Sequence, residues 1–305
     1  MRGAFLGTPA AAIASLAAAA DIIDVEVVIT RPDAARGRSA RPVAPPVKTA
    51  ALEWGIPVVQ PNSADELLAA FQNRDLDVGV VVAYGRILRP AVLQATRLGF
   101  VNVHFSLLPR WRGAAPVERA ILAGDESTGV SLMQLDEDLD TGPVISAIET
   151  PIGPDETGGS LTARLSYLGA EMIDEVLPGY LEGDRQPAPQ MEGGASVAAR
   201  LTVEEGELTA ADEAAMVLRM VRAFQPRPGA WFMAAGERYK ILRAAETVDS
   251  TPRGEIHLSS GAVSLGLADE AIELLEIQPP GGRPLAARAW MNGRRGEPLH
   301  LDRSD

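Results

Sequence analysis

Residues 77–83 read Asp-Val-Gly-Val-Val-Val-Ala, an apolar run with no alternation of polar and apolar positions. A strand that is apolar on both faces must be covered on both faces, as an inner strand of a parallel sheet between helices is. The flanking chain supplies the rest of that arrangement. Short apolar runs at 2–6, 25–30, 56–59 and 99–103 alternate with helix-like stretches at 10–20, 47–54 and 64–72. Such alternation predicts an α/β domain, a mostly parallel sheet with helices on both faces. A helix near 115–123, strands near 129–135 and 143–150, and a long amphipathic stretch at 160–181 complete a first domain over residues 1–183. Residues 31–47 contain four Pro and read as a loop.

The Pro- and Gly-rich stretch from Gly183 through Pro187, Pro189 and Gly193-Gly194 reads as a linker, assigned to 184–203. Residues 204–305 form a second domain. A helix over about 210–224 precedes short alternating strands near 229–234, 237–243, 254–258, 262–267 and 271–278, and a helix at 284–294 follows. Several short strands with turns between them predict a small β-barrel.

The chain has no Cys, which excludes disulfides and thiolate metal sites and makes the cytoplasm the expected address. No apolar run approaches the ~20 residues needed to span a bilayer. The opening residues superficially resemble a signal peptide, but Pro9 and Asp21 interrupt the pattern and residues 2–7 read better as a first strand. A net charge of −13 argues against coating nucleic acid by bulk electrostatics and leaves room for a local basic patch. Arg31, Arg36, Arg38, Arg41 and Lys48 make one such patch on the 31–47 loop, and guanidinium groups suit phosphate.

Asn102 and His104 end the strand predicted at 99–103, and Asp140 follows in Asp138-Leu139-Asp140-Thr141-Gly142. An Asn can hold an oxyanion, a His can move a proton, and an Asp can orient and charge-stabilise that His. The chain has only three His, and His257 and His300 fall among turn-like and tail-like residues of the C-terminal third. The Ser106-Leu107-Leu108-Pro109 turn just beyond exposes backbone groups suited to a flat polar heterocycle. Asp136, Asp138 and Asp140 alternate as in a calcium loop, but Thr141 and Ala147 occupy the positions that need Gly and a bidentate acid. Asp136 and Asp138 therefore read as solvated turn residues. Gly3-Ala4-Phe5-Leu6-Gly7 lacks the Gly-x-Gly-x-x-Gly spacing, which disfavours a nicotinamide-dependent oxidoreductase.

Asn102-x-His104-x-Ser106-Leu107-Leu108-Pro109, Gly113-Ala114-Ala115-Pro116 and Leu139-Asp140-Thr141-Gly142 resemble the signature of the 10-formyltetrahydrofolate-dependent formyltransferases. Phe5 to Pro9, the basic loop after Thr30, Ala83-Tyr84-Gly85, Ala223 to Ala230 and Asn292 to Arg295 are similar to the branch of that family that formylates methionyl-tRNA. The resemblance covers nearly the whole chain. It implies a Rossmann-like N-terminal domain that binds the formyl donor, and a C-terminal barrel like an oligonucleotide-binding (OB) fold that contacts tRNA. It further implies that Asn102, His104 and Asp140 are catalytic and that Ser106, Leu107, Leu108 and Pro109 contact folate. Arg36, Arg38, Arg41 and Arg200 would approach initiator methionyl-tRNA. No metal is implied, and a monomer is expected.

The chain departs from the family pattern at the start of its second domain. Arg200 stands where Lys is usual, Thr209-Ala210 where Asp-Trp is common, and Glu204, Glu205, Glu207, Asp212 and Glu213 make the region acidic. Two alternatives share the same trio or fold: a formyl-folate enzyme acting on a sugar or nucleotide amine, and a non-catalytic folate-binding homologue.

Overall fold

A computed structural model describes residues 1–35 and 41–302. In chain order the first part contains β1 (Arg2–Gly7), α1 (Ile13–Ile22), β2 (Asp24–Ile29), β3 (Ala34–Ala35), β4 (Pro42–Val43), α2 (Pro46–Glu53), β5 (Val58–Val59), α3 (Ala64–Ala69) and β6 (Val78–Val82). It continues through α4 (Pro90–Leu93), β7 (Phe100–His104), β8 (Arg112–Gly113), α5 (Pro116–Ala123), β9 (Ser127–Gln134), β10 (Val144–Pro151), α6 (Gly158–Glu182) and β11 (Val197–Ala198).

The chain divides into two compact units. One comprises Met1–Pro116, Ser127–Pro151 and Thr162–Ala199; the other comprises Val117–Glu126, Ile152–Leu161 and Arg200–Asp305. Residues 184–199, read from sequence as linker, thus group with the first unit.

The first unit holds a seven-stranded sheet in the order β10-β9-β7-β6-β1-β2-β5. The pairs from β7 through β5 are parallel, and β9 and β10 add an antiparallel edge. This is the expected mostly parallel, Rossmann-like arrangement. All five residues of β6 are buried, as an inner strand requires. The strand is shorter than the 77–83 run: Ala83 turns away with φ 48°, while Asp77 still donates its backbone N–H to Arg2 O at 2.8 Å and accepts the Arg2 N–H on its carboxylate at 2.9 Å. One sheet face is filled by Ala4, Leu6, Val27, Ile29, Val81 and Phe100, packed with Leu67, Phe71, Leu76 and Leu88. Each large side chain so buried contributes about 1.5–3 kcal/mol relative to exposure.

Local chemistry sets the shorter elements. Ser63 caps α3 by accepting the Glu66 N–H at 3.1 Å, and Glu66 accepts the Asn62 N–H at 2.8 Å in return, a reciprocal cap. The helix stops at Ala69 rather than near residue 72, since tight turns follow and Asn73 takes φ 61°. In the 31–47 segment, expected as loop, β3 and β4 form a short antiparallel pair. The four-residue α4 was not legible as a separate helix.

The Asp77 carboxyl is held below the ordinary carboxylate range, first by the Arg2 backbone N–H and then by Arg97 at 2.8 Å. A carboxyl depressed on folding stabilises the protein above its unfolded value, and that contribution is lost as pH falls through the folded value. The difference in Tm between wild type and Asp77→Asn is therefore expected to shrink as pH falls from about 6 to about 3, measured by thermal melts.

The second unit adds α7 (Ala214–Ala223), β12 (Ala230–Ala234), β13 (Glu237–Glu246), β14 (Glu255–Ser259), β15 (Ala262–Gly266), β16 (Ala271–Gln278), β17 (Leu285–Ala286), α8 (Ala287–Gly293) and β18 (Leu299–His300). Its antiparallel sheet runs β12-β13-β16-β15-β14-β18, with β17 on β16. The two ends of this order meet. Just beyond β18, the Asp302 N–H donates to Met233 O of β12 at 2.8 Å, and the Asp302 carboxylate accepts the Gly236 N–H at 2.9 Å. The sheet therefore closes into the expected small barrel. Inside it Phe232 stacks on Tyr239 at 5.3 Å, and Tyr239 meets Trp290 of α8 at 5.7 Å. His257 and His300 lie on β14 and β18, in strands rather than in a turn and a tail.

Candidate active site

Successive side chains of a strand point to opposite faces, so Phe100, Asn102 and His104 of β7 share one face. Phe100 sits in the core against Phe71, edge to face at 5.5 Å. The other face carries Val103, which lies under Gly169 of α6; a Cβ there would meet Val103 Cγ1 at 2.7 Å. Apolar packing on that face fixes the register, since a one-residue slip would drive Asn102 and His104 against α6.

Asn102, His104 and Asp140 are buried, with exposures of 8, 6 and 9%. His104 Nε2 lies 2.8 Å from the Trp111 carbonyl oxygen. A carbonyl only accepts, so Nε2 carries a proton and the neutral ring leaves its lone pair on Nδ1. That nitrogen is 3.7 Å from Asp140 Oδ2, beyond a hydrogen bond but near enough for the carboxylate to act on the ring once it carries a positive charge. The same Oδ2 accepts the Gly113 N–H at 2.8 Å. Among the described residues the buried Asn102 carboxamide has no hydrogen-bond partner. Asn102 is not among the polar side chains sealed off without a partner, so its amide stays open to an oxygen from elsewhere.

Asp140 and Trp111 take φ 54° and 62°, in the left-handed region. Side chains with a Cβ adopt it at a cost of about 1–2 kcal/mol, and surrounding structure has to hold them there. Part of that support is visible. Thr141 Oγ1 donates to both Asp136 carboxylate oxygens at 2.8 and 2.9 Å, so this acid braces the turn as well as meeting solvent. Gly142 lies so close to β9 that a Cβ would come 1.9 Å from Gln134 O.

The Ser106–Pro109 turn follows β7 directly. Ser106 Oγ donates to Arg110 O at 2.6 Å, and Ser131 Oγ of β9 donates to Ser106 O at 2.8 Å while accepting the Leu108 N–H at 3.1 Å. Leu107 O and Pro109 O accept from Arg110 N and Ser196 N at 3.0 and 3.3 Å. Ser106 O, Leu107 O, Pro109 O and the Leu108 N–H are thus bonded within the protein and hold the turn in place, so fewer of its backbone groups stand open to a heterocycle than the sequence suggested. Leu107 and Leu108 are half-buried, and Ser106 and Pro109 are buried.

The basic residues are placed differently. Arg36 and Arg38 lie outside the described residues, and Arg41 is exposed just before β4. Lys48 does not extend the patch: its ammonium donates to Asp33 at 2.8 and 2.9 Å and to Gln60 at 2.7 Å. Arg200 is exposed in the second unit, where Glu205 of the acidic stretch pairs with Arg119 at 2.6 Å. That partner holds the Glu205 carboxyl below its ordinary range. Among the described residues no group of three or more His, Asp or Glu is placed to hold a metal ion.

Sequence reasoning missed three contributors. The Trp111 carbonyl and the Gly113 N–H are main-chain groups, which no residue type encodes. Ser196, whose Oγ accepts the Trp111 N–H at 2.9 Å, sits in the segment read as linker, where β11 pairs with β8.

The profile of the Formyl transferase family matches residues 2–177, and that of the Formyl transferase, C-terminal domain family matches residues 200–295. The methionyl-tRNA formyltransferase of Streptomyces griseus is 40% identical over 301 residues, 97% of either chain. That of Halorhodospira halophila is 44% identical over 307 residues, 97% of this chain and 98% of that protein. The solved structure of a HypX variant from Aquifex aeolicus shares the fold with a TM-score of 0.69 at 19% identity, over 95% of this chain and 48% of that one. On these matches the chain belongs to the methionyl-tRNA formyltransferase family.

Proposed function

We propose that this chain moves the formyl group of 10-formyltetrahydrofolate to the α-amino group of initiator methionyl-tRNA, giving N-formylmethionyl-tRNA. The observation that carries the reading is a buried carboxamide and imidazole at the end of one inner strand, with the buried Asp140 carboxylate of the β9–β10 turn 3.7 Å from the imidazole. Relatives 40% or more identical over nearly the full chain bear the name of that reaction.

The methionyl amine has a reference pKa near 8, so a usable fraction is neutral at pH 7. Its nitrogen bonds to the formyl carbon while the carbonyl π pair moves onto oxygen. The Asn102 amide donates to that oxyanion, a contribution of about 3–4 kcal/mol. His104 Nδ1 takes the proton released by the attacking nitrogen, and the Asp140 carboxylate at 3.7 Å stabilises the imidazolium. His104 returns the proton to N10 as the C–N10 bond breaks, so tetrahydrofolate leaves neutral at that nitrogen and the enzyme is restored. The Ser106–Pro109 turn, held in place next to His104, is the proposed folate contact.

The same reading makes the chain a cytoplasmic monomer with initiator methionyl-tRNA as partner. It further assigns residues 1–183 to catalysis and 204–305 to tRNA contact. No helix among the described residues is long and apolar enough to cross a membrane. Purified protein supplied with 10-formyltetrahydrofolate is expected to formylate methionyl-tRNA in preference to small amines. Transfer to an amino sugar or a nucleotide amine alone would overturn the assignment.

Arg36, Arg38, Arg41 and Arg200 are the proposed phosphate contacts. Neutralising the first three together is expected to raise the KM for tRNA, leave kcat largely intact and flatten the salt dependence of kcat/KM. A KM that does not move with the triple variant would return this loop to a solvated surface.

A further inference from the structure

Gln190 lies in the segment that sequence reads as linker, yet it is half-buried and bonded on both sides of its amide. Nε2 donates to the carbonyl oxygens of Asp140 at 2.8 Å and Gly142 at 2.9 Å. Oε1 accepts from Arg112 Nε at 3.0 Å and Nη2 at 2.5 Å. Two donors and two lone pairs are all that a carboxamide has, so Gln190 is fully engaged.

Those bonds join the two segments that hold the reacting groups. The 140–142 turn carries the carboxylate beside His104. The 111–113 segment supplies the Trp111 carbonyl at His104 Nε2 and the Gly113 N–H at Asp140 Oδ2. The Gln190 segment is anchored on either side: Ala188 and Val144 exchange two backbone bonds of 2.8 Å, and Val197–Ala198 pair with Arg112–Gly113. Only a carboxamide suits the position. Glu has no N–H for the two carbonyls, Lys has no acceptor for the guanidinium, and Asn is shorter by one methylene.

We propose that Gln190 is a positioning residue for formyl transfer, its amide holding the left-handed Asp140 turn in register with residues 111–113 so that the carboxylate stays beside His104. The proposal rests on the reading that His104 and Asp140 carry the transfer. It is tested by steady-state kinetics on wild type, Gln190→Ala, Gln190→Glu and Gln186→Ala. The Glu variant keeps the size of the side chain and its bonds to Arg112, and sets an anionic oxygen against the two carbonyls in place of the two donors.

Both Gln190 variants are expected to lose roughly 10- to 100-fold in kcat. Their KM values for folate and tRNA should stay within about three-fold. Gln186→Ala, whose side chain reaches only Gly183 O, should match wild type. In an Asp140→Ala background, Gln190→Ala should cost nothing further, because it acts through Asp140. Hydrogen exchange of the Gly113 amide, followed by NMR without substrate, should quicken at least about 10-fold in both Gln190 variants.

Unchanged kcat with unchanged Gly113 exchange would overturn the proposal, and so would a full further loss in the Asp140→Ala background. Wild type that transfers formyl to no amine would instead sink the functional reading, and Gly113 exchange alone would then decide whether Gln190 holds this turn.

Discussion

Asn102→Ala is expected to lower kcat by roughly 10²- to 10³-fold while the protein stays folded. The size follows from the chemistry of the site. A hydrogen-bond donor aimed at a developing oxyanion acts most strongly where water is excluded, and Asn102 is 8% exposed. Its carboxamide has no partner among the described residues, so truncation strands no second group and the fold should tolerate it. KM for the formyl donor should change far less than kcat, since the interaction strengthens only as charge reaches the oxygen. The check is a kinetic comparison beside a thermal melt. Turnover near wild type, with the melt unchanged, would remove Asn102 from the mechanism.

Asp140→Ala is expected to cost at least ~100-fold in rate, and Asp140→Asn separates the reasons. The Asn variant can still accept the Gly113 N–H, and its left-handed backbone is tolerated because Asn visits that region more readily than most residues. What it lacks is the negative charge beside His104. If the charge matters, the Asn variant should be nearly as slow as the Ala variant. Recovery of most of the activity in Asp140→Asn would mean that the carboxylate serves only to hold the 111–113 segment.

Much of the fold was legible because its signals are local and periodic. The unbroken apolar run at 78–82 is typical of a covered inner strand, and the short alternating runs after residue 229 suit strands that pair with one another. Element ends were less so. Ala83 looks compatible with the strand it flanks, and only its φ of 48° sets it outside. The side-chain members of the site, Asn102, His104 and Asp140, were readable from residue type. Their supports were not. Gln190 sits among Pro and Gly, where composition argues for a connector, and its bonds span 48 and 50 residues to the 140–142 turn. Lys48 shows the opposite error. Charge counting adds it to the basic loop, whereas Asp33 occupies it.

The hydrogen-bond partner of His104 Nε2 is a main-chain oxygen, and this changes what genetic variation can reach. No missense codon at position 111 deletes that oxygen. A saturation library there would act through the φ of 62°, favouring Gly and Asn and penalising Val and Ile, rather than through the identity of the indole. Drift at this position can therefore be wide in side chain and narrow in backbone shape, and inheritance of the proton-handling geometry does not require inheritance of the tryptophan.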